Sequence, residues 1–478
     1  MRHTRFVLLA LVLVACSSKS DRLAANSLPG APLDWNAVDS ATLKNFQALL
    51  RMDTRDPPGN EKPTAEYIVR VLKDAGIDAQ VFALEPNRPN VVARIKGNGK
   101  KKPLLLMGHQ DVVTVDTTKW RFPPFSATRD SGWVYARGAL DDKTHLVADL
   151  MIMLLLKQQN VALDRDVIML AEAGEEGTTR VGIQYMVDKH YPDIDAEYCL
   201  AEGGGVTRVG GQVRYSQVST TEKIPRGIVL TAHGIAGHGS IPLLTNPIEH
   251  LSNAVAKFAT WRAPVHLNKT TTEYFTRLAM ISPPEKAVHY RDVISGDPKR
   301  VNDGDAWLLA NEPIHSSMLR TSVAPTMITG GYRINVIPSE ATATLDVRMI
   351  PGEDTVAFLE TIKKLVDDPK IDVTWAKRDV RPDSPVADLN AEGFKTLEAE
   401  LKRTYNAIVL PTMLTGATDM AYLRAKGMQC YGTGVAVDIE DGPKGYGPHG
   451  DQERVLENEL YRFVHLEWDV VQALAKAK

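Results

Sequence analysis

From residue 43 onward, short apolar runs alternate with helical patterns, and this alternation limits the possible folds more than any other feature. Helical periods over residues 43–52, 64–75 (closed by Gly76) and 146–157 interleave with apolar runs over 90–95, 103–107 and 167–170. Continuous apolar strands separated by helices are buried on both faces, so they predict an α/β domain with a mostly parallel sheet. A chain of 478 residues, 44% hydrophobic and 24% charged, exceeds one ordinary core, so at least two domains are expected.

The pattern changes near Glu222. Residues 227–234 read as a strand and 247–261 as a helix; 326–335 and 341–347 form a strand pair turning at Pro338-Ser339; 356–365 is a helix and 371–375 a strand. This β-α-β-β-α-β order is the split ferredoxin-like arrangement, an α+β unit over 224–380. Residues 268–325 interrupt it with Pro283-Pro284 and Ser295-Gly296-Asp297-Pro298, and read as an irregular insertion decorating the small domain. The α/β style returns from 381, with 391–405 helical and 427–432 strand-like, so residues 41–223 and 381–478 make one larger domain holding the smaller.

Arg2, His3 and Arg5 precede an apolar run over 6–14 that stops at Ala15-Cys16-Ser17-Ser18. That is an export signal over 1–15, too short to span a bilayer. Leu13-Val14-Ala15-Cys16 resembles a bacterial lipobox with Cys16 as the lipidated residue, and 16–40 reads as a flexible tether. The expected product is exported and lipid-anchored at the cell envelope, facing the periplasm, with Ser17 favouring the outer membrane in a Gram-negative host. Cys199 and Cys430, each in an apolar run, are expected to be buried free thiols. A net charge of −3 offers no field for nucleic acid, and the only membrane contact expected is the lipid.

Chemistry gathers where apolar runs end. His109 follows the run 104–107, where an open α/β sheet presents its ligand crevice, and Asp111 two residues on can reach the same side. Asp141-Asp142 precede a helix; a carboxylate has two oxygens to share between two cations, which makes Asp141 the candidate bridge, while capping is the plainer role for Asp142. Glu172, Glu175 and Glu176 follow the run 167–170, Glu202 ends another strand-like run, and His449 lies in the glycine-rich stretch 445–451. A metal centre needs one carboxylate on the ion and one free to move a proton, and Glu175-Glu176 can supply both.

In order along the chain, Gly108-His109-Gln110-Asp111, Arg137-Gly138-Ala139-Leu140-Asp141-Asp142-Lys143, Gly174-Glu175-Glu176-Gly177, Gly237-His238-Gly239-Ser240, Asn335-Val336-Ile337-Pro338, Asp346-Val347-Arg348 and His449-Gly450-Asp451 resemble the zinc-dependent aminoacylase, carboxypeptidase and dipeptidase family of co-catalytic metallopeptidases. The resemblance runs from about residue 40 to the end. It implies a phosphorylase/hydrolase-like catalytic domain with an inserted lid or dimerisation domain. It further implies two divalent metal ions, with zinc favoured by the donor set: Asp141 bridges them, His109 and Glu202 complete one shell, and Glu176 and His449 the other. Glu175 becomes the general base, and Asp111 orients His109. His238 would reach the scissile carbonyl, Asn335 and Arg348 the substrate carboxylate, and Thr418 a further polar group. Asp142 matches a position where the family often has a cis peptide.

The sequence departs from the family at Thr144, where glycine is usual, and by its insertion, which leaves open whether His238 serves its own site or a neighbour's in a homodimer. The expected function is metal-dependent hydrolysis of an amide beside a carboxylate-bearing amino acid, as a carboxypeptidase or peptidase on short peptides. An aminoacylase acting on N-acyl amino acids uses the same residues, and a solute-binding lipoprotein is the non-enzymatic alternative.

Overall fold

The computed structural model describes residues 32–377 and 380–477. The export signal, Cys16 and most of the expected tether lie outside the described residues. Order begins earlier than residue 40: a helix spans Trp35–Leu50, its first turn capped by the Asp34 carboxylate, which accepts from the Ala37 amide, and Trp35 packs on the His465 ring.

Ten strands form the large sheet. Four of them are parallel neighbours at its centre: Val167–Glu172, Leu104–His109, Tyr198–Ala201 and Gln429–Gly432. Their alternate side chains enter opposite cores. Leu104, Leu106, Val167 and Met169 pack with the helices Trp35–Leu50, Lys143–Gln158 and Glu457–Ala475, while Leu105, Met107, Ile168 and Leu170 face Ile183, Met186 and Leu423. The sheet is mixed rather than mostly parallel, with five parallel and four antiparallel pairings. The antiparallel pairs include short connections that cannot cross over. One joins Gly205–Val209 to Gln212–Glu222 through Gly210-Gly211, both at positive φ, a two-residue hairpin turn that only such residues enter without strain. Cys199 and Cys430 are register partners on adjacent central strands, free and buried.

The second sheet has four antiparallel strands in the spatial order Ser322–Gly330, Glu340–Met349, Ile224–His233, Ile371–Trp375. Helices Pro247–Lys257 and Thr355–Val366 cover one face with Leu251, Ala254, Phe358 and Ile362 against Leu230, Leu345 and Val347. Between the sheets, buried Lys223 donates to Ser317 Oγ at 3.0 Å and Ser322 Oγ at 3.1 Å.

The insertion is not irregular, and it does not decorate the small sheet. It folds into helices Lys269–Ile281, Pro284–Val293, Pro298–Asn311 and Pro313–Met318. Prolines that read as breakers stand at the first helical position, where the missing N–H costs nothing. Tyr274, Phe275, Leu278 and Met318 pack with Leu410 and Met413 from the strand Val409–Leu414, which pairs with the large sheet.

Candidate metal centre

The central parallel strands end on one side, where His109 and Glu172 close their strands and Glu202 follows Ala201. Asp141 enters from the turn before the helix Lys143–Gln158. That turn is built around a carboxylate the sequence did not single out: buried Glu453 accepts from the amides of Gly138 (3.1 Å), Leu140 (2.7 Å) and Asp141 (3.1 Å) and from Arg137 Nη1 (2.7 Å). Burial pushes the Glu453 carboxyl up, and Arg137 opposes that.

The Glu175-Glu176 turn is held similarly by Asp111, whose carboxylate accepts from the amides of Gly174 (2.8 Å), Glu175 (3.2 Å) and Glu176 (3.0 Å). Gly174 has φ +78°, and a Cβ there would lie 2.5 Å from the Thr178 carbonyl oxygen, so glycine is required. Asp111 does contact His109, but mainly through its backbone: the ring Nδ1 is 3.0 Å from the Asp111 carbonyl oxygen and 3.7 Å from the carboxylate. A carbonyl only accepts, so Nδ1 carries the proton, and the neutral ring keeps its Nε2 lone pair for a cation.

Asp141 stands between the two imidazoles. Its Oδ1 lies 3.0 Å from His109 Nε2 and its Oδ2 lies 3.1 Å from His449 Nε2, which is also 2.9 Å from Glu176 Oε1. Donor atoms of His109, Asp141 and Glu176 fall within 4.8 Å of one another, as do those of His109, Glu175 and Glu202. Five expected ligands and the expected base therefore converge. Burial opposes the charge on Asp141, yet its hydrogen bonds to His109 and His449 hold it well below the usual carboxylate range. Glu202 is pushed well above it, first by burial and then by Asp141 and Glu175; Glu176 is also raised, by burial foremost. Acids outnumber bases, and several carboxyls are held up by burial and mutual repulsion. Such a set fits divalent cations, and its histidine and carboxylate donors suit zinc-like ions.

Two more groups act nearby. Arg381, from the segment where the chain returns to the large sheet, brings Nη2 to 2.7 Å from Glu175 Oε1 and Nη1 to 2.9 Å from Asp419 Oδ1. Asp142 sits at the helix start but makes no capping bond. It accepts from the His109 amide at 3.4 Å and lies 2.5 Å from His145 Nδ1, and the Asp141–Asp142 peptide is cis.

Thr418 is a correction. It is buried and turned away from open space, its hydroxyl donating to Glu222 Oε2 at 2.7 Å and its amide to Glu222 Oε1 at 2.8 Å, beside Arg424. The hydroxyl is consumed in that network and offers nothing to a substrate.

The remaining expected groups belong to the small sheet. His238 is exposed, 2.6 Å from Ser240 Oγ, on a two-residue strand whose partner begins next to Asn335; the Gly239 amide donates to the Asn335 carbonyl at 2.9 Å. Arg348 pairs with Asp346 at 2.9 Å. The register sets Arg348 opposite Pro225 and Glu340 opposite His233, so His238 leaves the end of the sheet far from Arg348. Eight residue steps of strand (348 − 340) separate those ends by about 27 Å. His238 and Asn335 are thus brought together, and Arg348 is apart from both.

Known proteins were compared with this geometry in hand. The profile of Peptidase family M20/M25/M40 matches residues 105–472. A probable carboxypeptidase S-like 2 of Dictyostelium discoideum is 27% identical over 66% of this chain and 62% of its own length. An N-fatty-acyl-amino acid synthase/hydrolase of Mus musculus is 26% identical over 66% of this chain and 64% of its own. The chain therefore spans less than two thirds of the length of these relatives. Among solved structures, the M20 family metallo-carboxypeptidase Sso-CP2 of Sulfolobus solfataricus matches with TM-score 0.68 at 20% identity, over 91% of this chain and 99% of that one. A dinuclear metal binding peptidase of Bacillus subtilis matches with TM-score 0.56 at 14% identity, over 91% and 98%. At these identities the structural likeness speaks for the α/β fold with its large sheet.

Proposed function

Since this chain belongs to peptidase family M20/M25/M40, we propose that it is a metal-dependent hydrolase of amide bonds next to a carboxylate-bearing amino acid, acting on short peptides. The observation that carries this reading is Asp141 set between His109 and His449, one oxygen toward each ring, with Glu175 beside them. His109, Glu202 and Asp141 would hold one cation and Glu176, His449 and Asp141 the other, zinc being the reading the donors favour. When bound, such ions supply Lewis acidity at the scissile carbonyl.

The chain's own residues do the rest. Glu175 takes the proton of the attacking water on a side-chain oxygen and delivers it to the leaving nitrogen. Arg381 fixes the rotamer of Glu175 through the 2.7 Å contact and is itself held by Asp419. Arg348 is the partner for the substrate carboxylate, its planar fork suited to two parallel hydrogen bonds. The distance between the ends of the small sheet favours a homodimer in which His238 and Asn335 serve the neighbouring copy. Strand Ser322–Gly330 is an edge strand exposed over most of its length, and the apolar side chains of Met327, Ile328, Tyr332 and Ile334 lie open around it. The lid role of the small sheet belongs to this same proposal.

A second reading, hydrolysis of N-acyl amino acids, uses every residue named above, and the mouse relative's name favours it. Export and anchoring through Cys16 complete the proposal. Among the described residues no helix is long and apolar enough to cross a membrane.

The test is a hydrolysis panel of dipeptides, longer peptides and N-acyl amino acids, each with its carboxamide, run on protein of measured metal content. Turnover that needs divalent metal and a free carboxylate is expected. Metal-free purified protein that binds peptides without cleaving them, even after divalent ions are supplied, would favour a solute-binding lipoprotein. Mixing His238→Ala with Glu175→Gln protein should recover activity if the copies complement each other. For the anchor, Cys16→Ala should move the protein from the membrane to the soluble fraction.

A further inference from the structure

The helical insertion and the large sheet enclose a cavity of about 800 Å³. Its floor runs along strand Gly205–Val209, starting at Gly203 and Gly204 and ending at Val209, Val437 and Ile439. The inner end adjoins the candidate metal centre, because Gly203 follows Glu202 directly, and a Cβ on Gly203 would lie 2.6 Å from Leu414 Cδ1 in the cavity wall. Six residue steps along this floor, Gly203 to Val209, span about 20 Å. The space is therefore a long channel leading away from Glu202.

Its wall is apolar in effect as well as in composition. Leu278, Ile281, Met318 and Met413 present hydrocarbon and thioether surface. The charged groups of the helical side are spent on each other: Glu312 lies 2.9 Å from Lys286 Nζ and 2.7 Å from His315 Nδ1, and accepts from the Tyr290 hydroxyl at 2.7 Å, while His315 Nε2 is 2.9 Å from the Tyr274 hydroxyl. A wall whose polar atoms are already paired gains little from a charged or hydrogen-bonding ligand and most from buried hydrocarbon. At the outer end, Val209, Ile314, Val437 and Ile439 are exposed apolar side chains, so the channel stays apolar to its far end.

We propose that this cavity receives the acyl side of the substrate, and that the acyl group is a long alkyl chain joined through its amide carbonyl to an amino acid. The inference rests on the hydrolase reading for the reaction, and on the cavity alone for the chain. It assigns the insertion a role in specificity: the helices supply one wall of the channel, and the strands that carry Glu202 and Met413 supply the other.

The experiment compares metal-loaded enzyme on acetyl-, octanoyl- and dodecanoyl-leucine and on the dipeptide Phe-Leu. kcat/KM is expected to rise at least tenfold from acetyl to dodecanoyl. Leu278→Trp, which fills the channel, should remove that gain and leave acetyl-leucine turnover unchanged. Ile439→Asp, at the exposed outer end where folding is not at risk, should lower only the dodecanoyl rate. A flat chain-length profile, or a gain that survives both substitutions, would overturn the proposal. So would a Phe-Leu rate that matches dodecanoyl-leucine and falls equally in Leu278→Trp, since the channel would then take peptide side chains. Absence of turnover on every substrate is failure of the hydrolase reading instead. In that case a dansyl-undecanoate fluorescence probe decides: binding to the wild type that dodecanoyl-leucine displaces, and that Leu278→Trp lacks, supports the channel, and no binding overturns it.

Discussion

Two clusters of buried acid in this molecule have opposite characters. Around Asp141, the carboxyls of Glu176 and Glu202 are held up by burial and by one another. Around Glu312, burial acts in the same direction, but hydrogen bonds from His315, Lys286 and Tyr290 overcome it and bring the carboxyl down to about 2. The first cluster lacks positive charge and the second is complete. A group of acids is thus a site when its charge is unbalanced, and a strut when it is not. The trio Asp56, Glu61 and Asp111 makes the same point, since Arg88 Nη2 lies 2.6 Å from Asp56 and 2.5 Å from Glu61.

The sharpest way to break this contrast is Glu175→Gln. Turnover should fall by about 10²–10⁴-fold, while metal content measured by mass spectrometry stays that of the wild type. Glu176→Gln, by contrast, should lose metal. Next comes Glu453→Ala, which leaves Arg137 buried without its partner. Denaturant unfolding should report a loss of about 3–5 kcal/mol, with weakened metal retention because the Asp141 turn loses its acceptor. Arg348→Ala should lower kcat/KM by about 10–100-fold, the worth of a charge-assisted hydrogen bond, for substrates with a free carboxylate and not for their carboxamides.

The smallest effect belongs to Glu312. Its folded pKa, about 2, lies below the ordinary 4.5, so its stabilising contribution is present above pH 4.5 and is lost as pH falls toward 2. Thermal unfolding followed across that window should show Glu312→Gln flattening the acid limb relative to wild type.

Much of the metal centre was legible because its residues close apolar runs, and a strand that ends in His or Glu at a sheet's carboxyl edge announces a crevice. His109, Glu202 and the Glu175-Glu176 pair were read this way, and Asp141 from its place before a helix. Glu453 and Arg381 were not, since each meets its partner across hundreds of residues, and neither lies in a pattern that local periodicity can detect. Thr418 was misjudged for a related reason: only the fold reveals that Glu222 claims its hydroxyl. The insertion was read backwards because Pro284, Pro298 and Pro313 act as starts rather than stops. The large sheet was read as mostly parallel, and the Gly210-Gly211 hairpin that contributes to its mixed character was a two-residue signal between two strands.

Lys223 lies where the chain passes from Gln212–Glu222 into Ile224–His233, and its ammonium ties that passage to Ser317 and Ser322, where the insertion re-enters the small sheet. A simply inserted domain is joined to its host by two strands of chain and can both swing and twist. Here the chain crosses four times, because the insertion leaves the small sheet after Pro247–Lys257 and comes back at Ser322–Gly330 after packing on the large one. In mechanical terms the small sheet is a panel fastened along an edge rather than hung from a point, and the helices that wall the channel are part of the fastening.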